Sequence, residues 1–537
     1  MKPTPAEPPT PDPPPARSLT QRLGLATLLM VGSVFLSRLI GFAREMFIAA
    51  HQGATGGTDA YYAAFTLPDM LNYFLAGGTL SITFIPLFNG FLARDDEPGG
   101  WRLFSTISTA VGGLVLVAVV GGELFAEQLV PLLTPGFNDA QLALCVRMTR
   151  IVLPGLLCFT IGGLIQATLL CQERFGHVAM VPIVYNVGII AGGLLLGPWL
   201  GVEGFAWGAL AGALVGPLLL PLWAARRSIT FRPNLDVGSE GFRTYLTLAL
   251  PLMLGVTLIS LDEWILRWFG SFHDPGTVSW LNNARRLMLV PFAIIGQATS
   301  QAALPFLSRL WSEGRYDEIA TTLTRSLSAL IFFAVVASAG MVALAEPITF
   351  VAFQRGAFTP ADASGTAELL VFFSLGITAW SAQALIARGF YARQNTLEPM
   401  LIGTGVVLLA LPVYAALDHG LGVRGLALAS SVGIALNASI MLIIYRVRHA
   451  PIQLSALLVS AARGLGVGLP AAGLALVAIH LLQRLAHLAP EHGTLEALAL
   501  LVLPGLLFLV IAFGVATALD APELNAFTRR VKAKLGR

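Results

Sequence analysis

Nine charged residues stand where the surrounding chain is oily. Arg38, Arg44 and Glu45 lie in SRLIGFARE, and Asp59 lies in GGTDAYY. Asp262, Glu263 and Arg267 lie in LDEWILRW, and Arg285 and Arg286 lie in NNARRLML. A charge inside an apolar helix costs roughly 2.5–3.5 kcal/mol on insertion scales, so it marks either function or a buried pair. Arginine suits a phosphate, because its planar fork gives bidentate hydrogen bonds and keeps its proton. Arginines outnumber acids in this set, which favours an anionic ligand such as a pyrophosphate headgroup. Structural pairing, Arg44 with Asp59 or Arg267 with Glu263, stays open for each residue taken singly. On a helix wheel of about 100° per residue, Arg38 and Arg44 sit roughly 120° apart. They share a wide face only if Gly41 lets the helix bend.

Other chemistry finds no support. Lysine occurs only at Lys2, Lys532 and Lys534, so the apolar body has no P-loop lysine and ATP-driven transport by this chain is not expected. There is no HExxH motif, no GxSxG elbow and no catalytic triad, and nothing points to an enzyme. Cys145, Cys158 and Cys171 read as small apolar fillers rather than metal or redox groups. No cofactor or metal is implied.

The elements that must position these charges are helices in a membrane. Hydrophobic residues make up 55% of the 537 and charged ones only 12%, about half the charge of a soluble domain. Unbroken apolar runs of about 20–30 residues match the length needed to cross a bilayer, and their length argues for helices over barrel strands. The expected spans are 25–50, 60–92, 103–131, 146–171, 178–200, 203–225, 244–270, 277–310, 322–353, 366–391, 398–418, 424–445, 457–484 and 494–519. The fold class is thus all-α integral membrane, with about fourteen transmembrane helices. Arginines gather after the even-numbered spans and at both chain ends, which puts both termini in the cytoplasm. Arg147, Arg150 and Arg355 break that pattern. Residues 1–20 read as a disordered Pro-rich cytoplasmic tail without signal-peptide character, and 521–537 as a basic cytoplasmic tail.

The chain also repeats. TFIPLFNGFLARDDEP matches AALPFLSRLWSEGRYDE, and TLLCQERFGHVAMVP matches RGFYARQNTLEP. Pro86 pairs with Pro305 and Pro182 with Pro399, both about 218 residues apart. This implies a six-helix N-lobe over 21–230 and a pseudo-symmetric six-helix C-lobe over 240–450, related by an axis along the membrane normal. Two extra C-terminal helices fill 455–520. Gly208, Gly212 and Gly216 form a doubled GxxxG pattern suited to close helix packing.

SRLIGFAREM, GGTDAYYAAFTLPDML, TFIPLF, LLTPGF, VSWLNNARRLMLVP and GFYARQNTLEP together resemble the MurJ/MviN family. These are bacterial lipid II flippases within a wider superfamily that includes MATE and polysaccharide exporters. The resemblance implies fourteen helices, two lobes in a V around a cationic cavity, and a groove for the isoprenoid tail formed by 455–520. It implies substrate-binding roles for Arg38, Arg44, Asp59 and Arg286. Arg285 is expected as a further substrate contact, and Glu45, Asp262, Glu263 and Arg267 are candidates for gating or ion pairing. The chain departs from the family pattern at Asn72, Gly77, Arg285 and Leu289, where other members often carry Arg, Glu, Asp and an acid. The eleventh span also lacks the Asn and Asp that some members use for sodium.

The expected function is translocation of undecaprenyl-pyrophosphate-linked peptidoglycan precursor (lipid II) to the periplasmic leaflet of the bacterial inner membrane by alternating access. A flippase for another lipid-linked oligosaccharide is the nearest alternative. A MATE-like antiporter and a non-transporting scaffold follow. Expected partners are the anionic lipid-linked substrate, membrane lipids and cell-wall synthesis proteins, with no nucleic acid, and the expected state is a monomer.

Overall fold

The computed structural model describes residues 19–75, 79–254 and 258–525. The Pro-rich tail up to residue 18, Gly77 and the basic tail from residue 526 lie outside the described residues. Every regular element among the described residues is helical. The first half holds α1 (Leu19–Gln52), α2 (Gly56–Ala64), α3 (Thr66–Leu75), α4 (Thr79–Leu92), α5 (Glu97–Leu133), α6 (Asp139–Val152), α7 (Gly155–Cys171), α8 (Phe175–Leu200), α9 (Glu203–Ala213) and α10 (Leu220–Ala225). The second holds α11 (Glu240–Leu254), α12 (Leu258–Gly270), α13 (Thr277–Phe292), α14 (Ala298–Ser312), α15 (Tyr316–Ala343), α16 (Ala345–Phe353), α17 (Pro360–Ser374), α18 (Ile377–Ala392), α19 (Leu397–Leu421) and α20 (Val423–Arg448). α21 (Leu454–Leu485) and α22 (Thr494–Ala518) follow. Single π-helical stretches join α9 to α10 and α13 to α14.

Apolar length by itself identifies ten or eleven of the fourteen expected spans. Among the described residues, ten helical segments are long and apolar enough to cross a membrane, and eleven if α17 and α18, bent by 46°, form one span. Of the other three expected spans, 25–50 lies within α1, 60–92 is divided among α2, α3 and α4, and 244–270 is divided between α11 and α12. These three carry Arg38, Arg44, Glu45, Asp59, Asp262, Glu263 and Arg267.

The repeat has a local structural signature. The turns after α4, α7, α14 and α18 each place one residue in the left-handed region: Asp95, Glu173, Gly314 and Gln394. Each also closes the same pair of backbone bonds. Asp96 N–H donates to Phe91 O and Asp95 N–H to Leu92 O, as do Arg174 to Leu169 and Glu173 to Leu170. Arg315 to Leu310 with Gly314 to Trp311, and Asn395 to Phe390 with Gln394 to Tyr391, complete the set. This double bond is the Schellman ending, which satisfies the last helical carbonyls. An arginine flanks every one of the four turns: Arg94, Arg174, Arg315 and Arg393. The motifs that repeat in sequence are therefore four copies of one helix ending.

Phe84, Phe88, Trp101 and Phe104 interlock edge-on or tilted at the centre of one cluster in the first half, with ring centroids 5.3–6.2 Å apart. α11 joins that cluster through Phe242, Tyr245 and Ala249, so the helix that opens the second half packs against the first. Phe353, Phe373, Trp380 and Tyr414 belong to the main cluster of the second half. α21 and α22 lie against α15 and α16 through Val467, Ala471, Ala475 and Phe508. Outward faces carry exposed Leu, Val, Phe and Trp, as a lipid-facing surface requires. Arg147 pairs with Glu203, Arg150 with Glu127, and Arg355 caps the carbonyls of Val351 and Ala352. The arginines that break the charge pattern thus each have a local partner.

The GxxxG helix packs as its glycines suggest. α8 and α9 touch through Gly188 and Gly192 on one side and Gly204, Gly208 and Gly212 on the other. A Cβ on Gly192 would sit 2.3 Å from the Gly208 Cα. Gly192→Val should therefore force the two backbones apart. Overpacking of this kind costs about 1–3 kcal/mol. Thermal unfolding of the purified protein should fall by several degrees, whereas Gly197→Ala, with open space around it, should leave it unchanged.

Candidate functional site

α1 is one continuous helix, so Gly41 does not gather Arg38 and Arg44 onto one face. The two arginines diverge as the helix wheel requires. Arg38 crosses to the second half, where its guanidinium donates to Gln297 Oε1 at 2.5 Å. Arg44 stays within the first half, donating to Asn186 Oδ1 on α8 at 3.0 Å and pairing with Glu45. Arg44 is thus bound to its sequence neighbour rather than to Asp59.

Glu45 is fully buried and lies at the centre of the first cluster. One oxygen faces both Arg44 and the Nε of Arg286, at 3.2 Å from the latter. The other accepts from the Tyr62 hydroxyl at 2.9 Å. The Arg286 contact is close but poorly aligned, and its Nε has no hydrogen bond. Arg286 is also 38% exposed, so this is the loosest arginine of the cluster.

A second cluster lies on α12 and α13. Arg285 Nε stands 3.0 Å from Asp262 Oδ2, and its Nη1 donates to Glu263 at 3.0 Å. Asp262 also accepts from the Tyr414 hydroxyl on α19. Glu263 also binds Arg267, the pairing expected from their i, i+4 spacing. Arg267 reaches across to α3 of the first half, donating to Thr66 Oγ1 at 3.1 Å and facing Asp69 at 3.4 Å. Arg285 and Asp262 are buried, whereas Glu263 and Asp69 are 34% and 49% exposed. The Arg285 guanidinium is enclosed between two acids and the Trp380 ring.

The two clusters balance. Arg44, Arg267, Arg285 and Arg286 face Glu45, Asp69, Asp262 and Glu263. Arg38 has no carboxylate partner among the described residues. Asp59 stands apart, buried at the N-terminus of α13. It accepts from Gly276 N–H at 2.6 Å, Ser279 N–H at 2.7 Å and Ser279 Oγ at 2.6 Å. A carboxylate there satisfies orphan amides and meets the positive end of the helix dipole.

Asp59 belongs to a seal between the halves, at the end opposite the four Arg-flanked turns. Ala357 N–H donates to Ala50 O at 2.7 Å, and Trp268 Nε1 donates to Leu132 O at 3.2 Å. Gly356 permits the first contact. Its φ is +59°, and a Cβ there would meet Ala50 O at 2.2 Å. Near the charged centre a cavity of about 280 Å³ opens in the first half, lined by Asp69, Asn72, Tyr185, Phe65 and Phe159. Asn72 thus lines open space. Leu289, by contrast, packs against the second-half core.

Asp69, Asn186, Tyr62, Thr66 and Tyr414 did not stand out in the sequence. Asp69 was visible as the acid of the LPDM stretch. The others are neutral partners whose roles depend on which helices meet.

The Asp262–Arg285 pair gives a direct test. Arg285→Leu leaves Asp262 buried beside an apolar chain, which should cost about 3–5 kcal/mol. Asp262→Asn combined with Arg285→Leu should regain more than half of that loss. Thermal unfolding of the two single variants and the double variant measures the coupling. Strict additivity would contradict the pairing.

A family model described as lipid II flippase MurJ matches residues 48–490. The lipid II flippase MurJ of Burkholderia cenocepacia is 28% identical over 432 residues, covering 79% of this chain and 84% of that protein. Among solved structures, lipid II flippase MurJ in an inward closed conformation superposes with a TM-score of 0.75 at 21% identity, over 92% of this chain and all of that one. An inward-facing MATE multidrug transporter superposes with a TM-score of 0.65 at 15% identity, over 82% and 99%. The fold is that of these transporters, the apolar helices make it an integral membrane protein, and the chain belongs to the lipid II flippase MurJ family.

Proposed function

We propose that this protein moves lipid II across the bacterial inner membrane, from the leaflet on the side of the Arg-flanked turns to the opposite leaflet. Both termini and those turns lie in the cytoplasm in this reading. The observation that carries it is the state of the arginines between the halves. Among the described residues, Arg38 is held by the neutral Gln297 and no carboxylate, and Arg286 is part-exposed and poorly bonded to Glu45. A diphosphate offers more charge and more acceptor oxygens than one carboxylate. It binds Arg38 and draws Arg286 and Arg44 away from Glu45. The undecaprenyl chain stays in lipid, along the groove of α21 and α22.

Residues 21–230 and 240–450 act as the two lobes that rock about this site. Asp59 is the gate. Its three bonds to the start of α13 hold the far end shut, and breaking them opens the outward path. An anion moving outward gains roughly 2.3 kcal/mol per charge per 100 mV when the interior is negative, so turnover needs no ATP. A MATE-like exporter of cations would need surplus acids, whereas the balanced core plus Arg38 carries surplus positive charge.

Depletion of the resident lipid II flippase in a bacterial host tests the reading. Expression of the wild-type chain should restore growth. Arg38→Ala and Arg286→Ala should lose rescue at equal membrane abundance, and Arg44→Ala should weaken it. Failure of the wild-type chain to rescue despite good expression would refute lipid II as substrate. Unimpaired rescue by every variant would refute the arginine roles.

The gate has its own readout. Charge-assisted hydrogen bonds contribute about 1.5–3 kcal/mol each. Asp59→Ala should therefore raise the population open at that end by at least tenfold. Distances between spin labels on the loops after α1 and before α13 would report it, and an unchanged distribution would exclude Asp59 as the latch.

A further inference from the structure

Arg388 lies on α18 and has no hydrogen bond and no carboxylate partner among the described residues. Its Nε is buried and unbonded, and its guanidinium carbon sits 5.6 Å above the Tyr391 ring. With Arg38, it stands outside the four-by-four charge balance of the core. An unneutralised guanidinium inside an apolar bundle is costly, and such residues mark ligand paths.

Its position follows from the helix it rides. Ser381 of α18 packs on Gly296, next to the Gln297 that holds Arg38. Arg388 is seven residues further along, on the same face, so it lies about 10 Å nearer the Arg-flanked turns. Tyr391 is 37% exposed and lies within electrostatic reach of Tyr73 on the first half. Tyr73 and Phe74 pack against Trp264 with ring centroids 5.9 and 6.3 Å apart. Tyr391 thus brings Arg388 near the aromatic ring of Tyr73, and aromatic rings suit the flat apolar faces of sugars.

We propose that Arg388 binds a carboxylate on the substrate headgroup, separate from the diphosphate, and so selects acidic headgroups. The inference rests on the flippase reading above. The diphosphate is held by Arg38, Arg44 and Arg286, while the sugar-peptide portion extends along α18 toward the Arg-flanked turns. A carboxylate there gives Arg388 the partner that the protein does not supply.

Binding to the purified full-length protein in nanodiscs provides the test. The probes are undecaprenyl pyrophosphate, lipid II with free peptide carboxylates, and lipid II with those carboxylates amidated. Wild type should bind the free-carboxylate form about tenfold tighter than the amidated form, the scale of one charge-assisted contact. R388Q should bring the two to equal affinity and leave undecaprenyl pyrophosphate binding unchanged. Retained discrimination in R388Q, or equal weakening toward all three ligands, would overturn the assignment. Should R388Q fail to fold, R388K decides. Reduced discrimination supports the proposal, and wild-type discrimination overturns it. Failure of the wild type to bind even undecaprenyl pyrophosphate would overturn the flippase reading, and this inference with it.

Discussion

Charge inside an oily bundle must be balanced, and that constraint organises the centre of this protein. Removing an ion from water costs several kcal/mol even after relaxation, and only a close counter-charge with good hydrogen bonds offsets it. Four arginines and four carboxylates meet this demand among themselves. The pairing is not uniform in quality. Asp262, Arg285 and Tyr414 form a buried unit within the second half, whereas Glu45 divides one oxygen between Arg44 and Arg286. The first is a fixed support, and the second is a contact that a stronger anion can displace.

An empty carrier that returns across a membrane must do so without bare charge. Glu45 and Asp69 supply that condition, because they neutralise arginines that would otherwise repel one another. Each sits where the halves meet: Glu45 contacts Arg286 from the second half, and Asp69 contacts Arg267. The same contacts that make the empty state tolerable also hold the halves together. Ligand binding at the arginines would therefore loosen the interface as it forms, coupling occupancy to motion through one set of bonds.

Much of the architecture was legible in the sequence. Apolar length gave the helices, and the repeated Arg-flanked motifs turned out to be four copies of one Schellman ending. The pairing of Glu263 with Arg267, one of two left open, forms across their i, i+4 spacing. Contacts between distant helices were not legible. Arg44 was open to Asp59, yet α13 offers Asp59 three donors that no periodicity reveals. Residues i and i+1 point apart on a helix, so their spacing gives no reason to pair Arg44 with Glu45. The pair forms because Arg286 draws Glu45 inward and Asn186 fixes Arg44. Asp69 was missed because its partner, Arg267, stands 198 residues away.

The departure at Arg285 now has a physical reading. In this chain a second arginine stands beside Arg286, where other family members often carry Asp. Its guanidinium instead turns into the second half, where Asp262 and Glu263 surround it and the Tyr414 hydroxyl completes the unit. The added positive charge is spent on a buried acid and does not reach the cleft. The electrostatic surplus that an anion would meet resides on Arg38 in one half and Arg388 in the other. A ligand touching both must span the interface, so its length and its distribution of negative charge, and not the total charge of the cavity, determine what this carrier can hold.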